Sequence, residues 1–99
     1  MAKIINITDK LTTDKPKIIV GGKEYTVNNG MSTVLKFEEL AEEKTTESMI
    51  KAVEIAIGEP AAKELDVKNM GIDNFKVLIT AIMAASQGLE YEEAASRFQ

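Results

Sequence analysis

The stretch from Asp73 to Gly88 restricts the fold more than any other part of the chain. It carries no charge after Lys76, and its apolar residues recur at the three- and four-residue spacing of a helix. One row is formed by Phe75, Leu78, Ile79 and Ile82, and a second row on the same cylinder by Val77, Ala81 and Ala84. Two apolar rows predict a central helix that the rest of a small domain covers nearly all round.

Both ends of this helix carry terminating signals. Asp73 is expected to cap the N-terminus by accepting backbone N–H bonds, and Gly88 to end the helix in the left-handed conformation. A membrane span is the alternative interpretation, but a span needs about twenty apolar residues and this run is much shorter. We therefore expect a soluble domain that does not bind a membrane.

The composition excludes several classes of function. The 99 residues, enough for one modest core, contain no cysteine and no histidine. Disulfides, thiol nucleophiles, histidine general bases and metal sites built from these residues are therefore ruled out. Sixteen acidic residues against twelve basic ones give a net charge of −4, which disfavours binding to nucleic acid. The first nine residues are too polar for a secretory signal, so we expect a cytoplasmic protein.

Residues 17–28 give the clearest β signal. Two runs rich in β-branched and aromatic residues, Ile18–Val20 and Glu24–Val27, flank Gly21-Gly22. The freedom of glycine at positive φ suits a tight primed turn, so the pattern predicts an antiparallel hairpin. A phosphate-binding loop is disfavoured because Glu24 stands where such a loop needs Ser or Thr.

The segment before the hairpin is less regular. Ile5 and Ile7 alternate with polar neighbours, which predicts a short strand, and residues 8–16 predict a mobile loop. Two interpretations of residues 1–16 stay open: a frayed terminus, or an arm that pairs with a sheet edge of its own or a neighbouring subunit. We divide the chain into this arm and a single helical domain, 17–99, with a leading hairpin.

The remainder of the chain follows helical patterns. A first helix is expected after a cap at Ser32 or Thr33. Residues 44–46 are expected to break and recap the chain, so that a second helix runs from about Glu47 to Ile57 and ends at Gly58, and a short third helix opens at Pro60. An amphipathic last helix has its apolar stripe at Tyr91, Ala94, Ala95 and Phe98. The sequence thus predicts an α+β, mostly α fold: an N-terminal β-hairpin followed by a bundle of four to five short helices around a central hydrophobic helix.

No residue pattern predicts catalysis. The carboxylates Glu38, Glu39, Glu42 and Glu43 share the polar face of the first helix. A solvated helix face explains them better than a metal or acid–base site does, because no apolar residues surround them to shift a pKa. We expect a protein that is not an enzyme and has no catalytic residues, metal or cofactor.

The five methionines leave two alternatives open. Met is flexible and polarizable, so Met31, Met49, Met70 and Met83 either form an adaptable binding surface or fill the core.

Four segments carry a resemblance to a known family. They are the opening hairpin Ile18–Tyr25, the first-helix segment Phe37–Ala41, the hydrophobic late helix Phe75–Ala85 and the closing segment Gly88–Ala94. In this order they resemble the small tail assembly chaperones of long-tailed phages and prophages of Gram-positive bacteria. The resemblance spans most of residues 17–99.

The resemblance implies a non-catalytic protein of the infected or lysogenic cell. Chaperones of this family bind the long helical tape measure protein, keep it soluble and help to recruit the tail tube subunit. They are absent from the finished virion, and many are also made in a longer, frameshifted form. The alternative is a small phage or bacterial structural or adaptor protein that is retained in an assembly.

The physics of the chain is compatible with that role, because an amphipathic partner helix can enter an apolar groove between helices. We expect this groove between the first and last helices, with Phe37, Leu40, Tyr91 and Phe98 as anchors. Self-association is expected through the hairpin edge or the N-terminal arm.

Overall fold

A computed structural model of the chain describes residues 2–12 and 14–98, without the side chain of Phe98. This part of the chain contains two strands, β1 (Lys17–Val20) and β2 (Lys23–Thr26), followed by five α-helices. The helices are α1 (Met31–Glu43), α2 (Thr46–Ile57), α3 (Glu59–Glu64), α4 (Ile72–Gln87) and α5 (Tyr91–Phe98), and single 3-10 turns lie at Thr8–Lys10 and Val67–Asn69. The predicted α+β, mostly α class and its hairpin-then-helices order are confirmed.

The hairpin forms at the predicted glycines. Gly21 and Gly22 both have positive φ, 59° and 81°, which matches a two-residue primed turn. The strands are antiparallel, with Ile18 opposite Tyr25, and both of these side chains are buried. One face of the hairpin therefore packs on the helices, which an isolated two-stranded ribbon needs in order to be stable.

Three predicted helix boundaries are confirmed: the start of α2 and the ends of α2 and α4. At each of them the sequence carries a capping residue or a glycine. Thr45 Oγ1 accepts a hydrogen bond from the Ser48 N–H at 3.1 Å, and Ser48 Oγ accepts one from the Thr45 N–H at 3.2 Å. This reciprocal capping box begins α2, and Gly58 follows its last residue. Gly88, at a φ of 68°, ends α4 in the left-handed conformation.

The predicted cap of α1 is wrong. The helix begins at Met31, so Ser32 and Thr33 lie inside its first turn. The reason is a turn upstream: Asn28 Oδ1 accepts a hydrogen bond from the Gly30 N–H at 3.0 Å and sets the helix entry earlier.

The predicted cap of α4 is also wrong. Gly71 is the residue before the helix, and α4 begins at Ile72 without a side-chain cap. Asp73 lies within the first turn instead, where its carboxylate interacts favourably with the helix dipole.

The core is built around α4, which packs against α5, α2 and β1. Ile79 and Ile82 of α4 are fully buried, as are Val27, directly after β2, and Val53 of α2. The hairpin and the helices therefore share one hydrophobic core, with α4 at its centre.

The prediction that α4 is covered nearly all round is confirmed from Leu78 to Gln87, where no residue is exposed, and is wrong for the first turns of the helix. Ile72 is 73% exposed and Val77 is 52% exposed. The elements that contact α4 are chiefly α5, β1 and α2, whereas α1 packs chiefly against α2.

The strand predicted at Ile5 and Ile7 is wrong. Asn6 Oδ1 accepts hydrogen bonds from the Thr8 N–H and the Thr8 hydroxyl, and a 3-10 turn follows. This local turn replaces an extended backbone. Residues 2–12 are exposed throughout, whereas Met1 and Thr13 of the predicted arm lie outside the described residues. The division at residue 16 stays a prediction.

Candidate functional site: an apolar groove

An open cavity of about 940 Å³ lies where the junction of α1 and α2 faces α4. We call it the methionine groove, because three methionines line it. Its apolar lining residues are Ala41, Met49, Ile50, Val67, Met70, Ile72, Phe75 and Met83. Along α4, Ile72, Phe75 and Met83 recur at helical spacing, so one face of this helix contributes one wall.

Three of the four methionines lie between the core and the groove, so the core-filling role is only part of their environment, and a binding role stays a prediction. Met49, Met70 and Met83 are half-buried, pack against the core cluster and line the groove at the same time. Met31, by contrast, is exposed and lies away from the groove lining. A flexible thioether wall adapts to partners of different shape more readily than a branched aliphatic wall does.

The four predicted anchors are not brought together in this groove. Phe37 and Leu40 are buried in the core, at 2% and 7% exposure. Tyr91 is 39% exposed at the start of α5, outside the groove lining, and the side chain of Phe98 lies outside the described residues. A partner reaches Phe37 or Leu40 only if the core opens, and the anchor role of these four residues stays a prediction.

One hydrogen bond crosses the groove. Gln87 Nε2, in the last turn of α4, donates to Glu38 Oε1 of α1 at 2.9 Å. Both residues belong to the lining, so this bond ties the two walls together at one end.

A second polar cluster fixes the hairpin on α3. Tyr25 OH donates a hydrogen bond to Glu64 Oε1 at 3.1 Å, and the Lys23 ammonium donates to the same oxygen. Lys23 Nζ also lies 5.5 Å from the centroid of the Tyr25 ring, within cation–π range.

The pKa values in this cluster all move away from neutrality. The hydrogen bond from Lys23 lowers the pKa of Glu64, and the hydrogen bond to Glu64 raises the pKa of Lys23. Burial is the main cause that raises the pKa of Tyr25, and the hydrogen bond to Glu64 raises it further. Acid–base catalysis needs pKa values near the working pH, so these shifts favour a structural role.

Residues 2–12 and 14–98 contain no group of three or more acidic side chains placed to hold a metal ion. No helix in the described part of the chain is long and apolar enough to cross a membrane. Comparisons of the chain with models of known protein families, with curated proteins and with solved structures find no match.

Proposed function

We propose that this chain is a non-catalytic tail assembly chaperone that binds helices of a tape measure protein in the methionine groove. The observation that supports it best is the groove itself: an open, apolar cavity with three methionines in its wall. A surface of this kind recognises an amphipathic helix by accepting its apolar stripe.

The dimensions of the groove suit such a partner. Ile72 and Gln87, the first and last residues of α4, both contribute to the lining. A helix of 16 residues is about 24 Å long, and the Gln87–Glu38 hydrogen bond closes the groove near the end of α4, so the wall accommodates about three turns of a parallel or antiparallel partner helix. In this proposal, an unassembled tape measure protein exposes apolar helix stripes, and covering them keeps it soluble. In this proposal the chaperone acts in the host cytoplasm and helps to recruit the tail tube subunit.

Co-expression tests the proposal directly. The chain is expressed with the tape measure protein encoded nearest to its gene, and the soluble, co-purifying fraction of the tape measure protein is measured. We expect solubility only in the presence of the chaperone. A tape measure protein that stays insoluble, or that is equally soluble alone, contradicts the proposal.

The open hairpin edges support self-association, and they favour the second candidate function, a structural or adaptor protein retained in an assembly. In a hairpin with a two-residue turn, the residues that flank the turn, Val20 and Lys23, form a hydrogen-bonded pair. Hydrogen-bonded pairs alternate with pairs whose backbone N–H and C=O groups point away from the partner strand. These outward-pointing pairs are Ile19–Glu24 and Lys17–Thr26. Within the described residues, no other element forms a backbone hydrogen bond to these outward groups. Unpaired edges of this kind are templates for strand addition.

Residues 2–12 supply a segment that suits those edges. Ile4 and Ile5 are 92% and 72% exposed, and Ile7 and Leu11 are exposed as well. Light scattering on the full chain and on a variant lacking residues 2–12 tests self-association through this arm. Detection of the protein in purified particles, rather than only in infected cells, distinguishes the structural role from the chaperone role.

A further inference from the structure

We infer that the methionine groove selects amphipathic helices that carry acidic residues beside their apolar stripe. This inference rests on the proposed helix-binding function and adds the chemical class of the partner. Four cations line the groove: Lys44, Lys68, Lys76 and Arg97. The acidic residues in the lining are Glu38 and Glu42.

The cations come from four different parts of the fold. Lys44 lies in the link between α1 and α2, Lys68 in the 3-10 turn before α4, Lys76 in the first half of α4 and Arg97 in the last turn of α5. The positive charge of the groove lining is therefore contributed by several elements and does not come from one helix face.

These cations are available to a partner. Within residues 2–12 and 14–98, none of the four side chains forms a salt bridge or a side-chain hydrogen bond. Glu38, in contrast, accepts the hydrogen bond from Gln87 across the groove. Ion pairs with a bound acidic helix therefore form without breaking existing ones among the described residues.

The contrast with the rest of the surface strengthens the selection. Four cations and two carboxylates give the groove lining a net charge of +2, so the total of −4 leaves −6 on the rest of the chain. An acidic helix is repelled elsewhere and attracted at the groove, which favours correct docking over adventitious contact. A nucleic acid suits the groove less well, because apolar side chains form no ion pairs or hydrogen bonds with its phosphates. The negative charge on the rest of the surface also repels the phosphates.

Three labelled peptides test the inference. Each is a 16-residue helix with the same Leu and Met stripe, and the flanking positions carry Glu, Gln or Lys. Binding to the full chain is measured by fluorescence anisotropy at low and at high salt, together with a single-stranded oligonucleotide of similar charge. We expect the Glu peptide to bind about three- to tenfold more tightly than the Gln peptide, since exposed ion pairs are individually weak. We expect the Lys peptide to bind most weakly, and the differences to shrink at high salt.

Charge reversal locates the effect. In K68E/K76E the preference for the Glu peptide over the Lys peptide is expected to be lost or inverted. The matched control K51E/K63E changes the same net charge at two exposed lysines outside the groove lining, and it is expected to keep the wild-type ranking. Circular dichroism of both variants checks folding, and the peptide ranking of the unmodified chain stands independently of either variant.

The outcomes separate two failures. Equal affinity of the wild-type chain for all three peptides overturns the acidic preference and leaves the helix-binding function standing. Failure to bind any peptide overturns both. Tighter binding of the oligonucleotide than of the Glu peptide shows that the cations serve nucleic acid and also overturns the inference.

Discussion

Replacing Ile72 by alanine tests whether the methionine groove binds a partner helix. Ile72 is the first residue of α4 and lines the groove, yet 73% of it is exposed in the free chain. A side chain that is open to solvent and borders an apolar cavity contributes little to folding. It contributes to binding if a partner covers it.

The expected magnitude follows from the exposed fraction. Alanine lacks three carbons of isoleucine, and burying one methylene group stabilises by about 0.8 kcal/mol, so full burial of this difference is worth about 2 kcal/mol. Because 73% of Ile72 is exposed in the free chain, a partner that covers it gains about 1.5 kcal/mol of this burial free energy. Ile72→Ala is therefore expected to weaken binding about tenfold.

Val77→Ala is the matched control. Val77 is also an exposed β-branched residue of α4, at 52%, but it lies outside the groove lining. Affinity for the Gln-flanked peptide is measured by anisotropy, and stability by urea denaturation. We expect weaker binding only in Ile72→Ala and near-unchanged stability in both variants. Equal affinities of the two variants, or a larger loss in Val77→Ala, refute the placement of the binding site.

Three further predictions concern stability, each followed by urea denaturation. Ile82→Ala removes a fully buried side chain of α4 and is expected to cost about 2–5 kcal/mol; a loss below about 1 kcal/mol contradicts the central position of α4. Thr45→Ala removes the capping box of α2 and is expected to cost about 1 kcal/mol, while a neutral result means that the box adds nothing. The pKa of the Glu64 carboxyl is lower in the folded chain than its ordinary value of 4.5. The ionised Glu64 side chain therefore stabilises the fold above pH 4.5, and this stabilisation is lost as the pH falls through the lower pKa of the folded state. Glu64→Gln should therefore lose less stability than the parent chain between pH 7 and pH 3, and an equal loss in both contradicts the role of the Lys23–Glu64 contact.

The features that the sequence predicted well are those with a local cause. The turn at Gly21 and Gly22 requires positive φ, and the ends at Gly58 and Gly88 follow from the same property of glycine. The capping box at Thr45 depends on residues only three positions apart. Each of these signals acts within one turn of the chain, so no knowledge of the packing is needed to read it.

The features that it predicted poorly depend on packing between distant elements. The two apolar rows of α4 indicate which residues tend to be buried, but not which side another helix covers. Because α1 packs chiefly on α2, Phe37 and Leu40 enter the core and Ile72 stays open. The predicted anchors are three aromatic residues and Leu40, whereas the apolar lining of the groove contains three methionines among its eight residues. The sequence leaves the binding role of these methionines undecided.

If the methionine groove binds a helix as proposed, the arrangement of α4 predicts that binding and stability are changed by different substitutions. Ile79 and Ile82 are fully buried in the core, whereas Ile72 and Met83 line the groove on the same helix. A partner that docks along the groove covers residues that folding leaves incompletely buried, so the core does not have to open. The flexible Met83 side chain can move to fit the partner while its contact with the core is kept. Within the described residues, α4 thus places some of its side chains in the core and others along the groove.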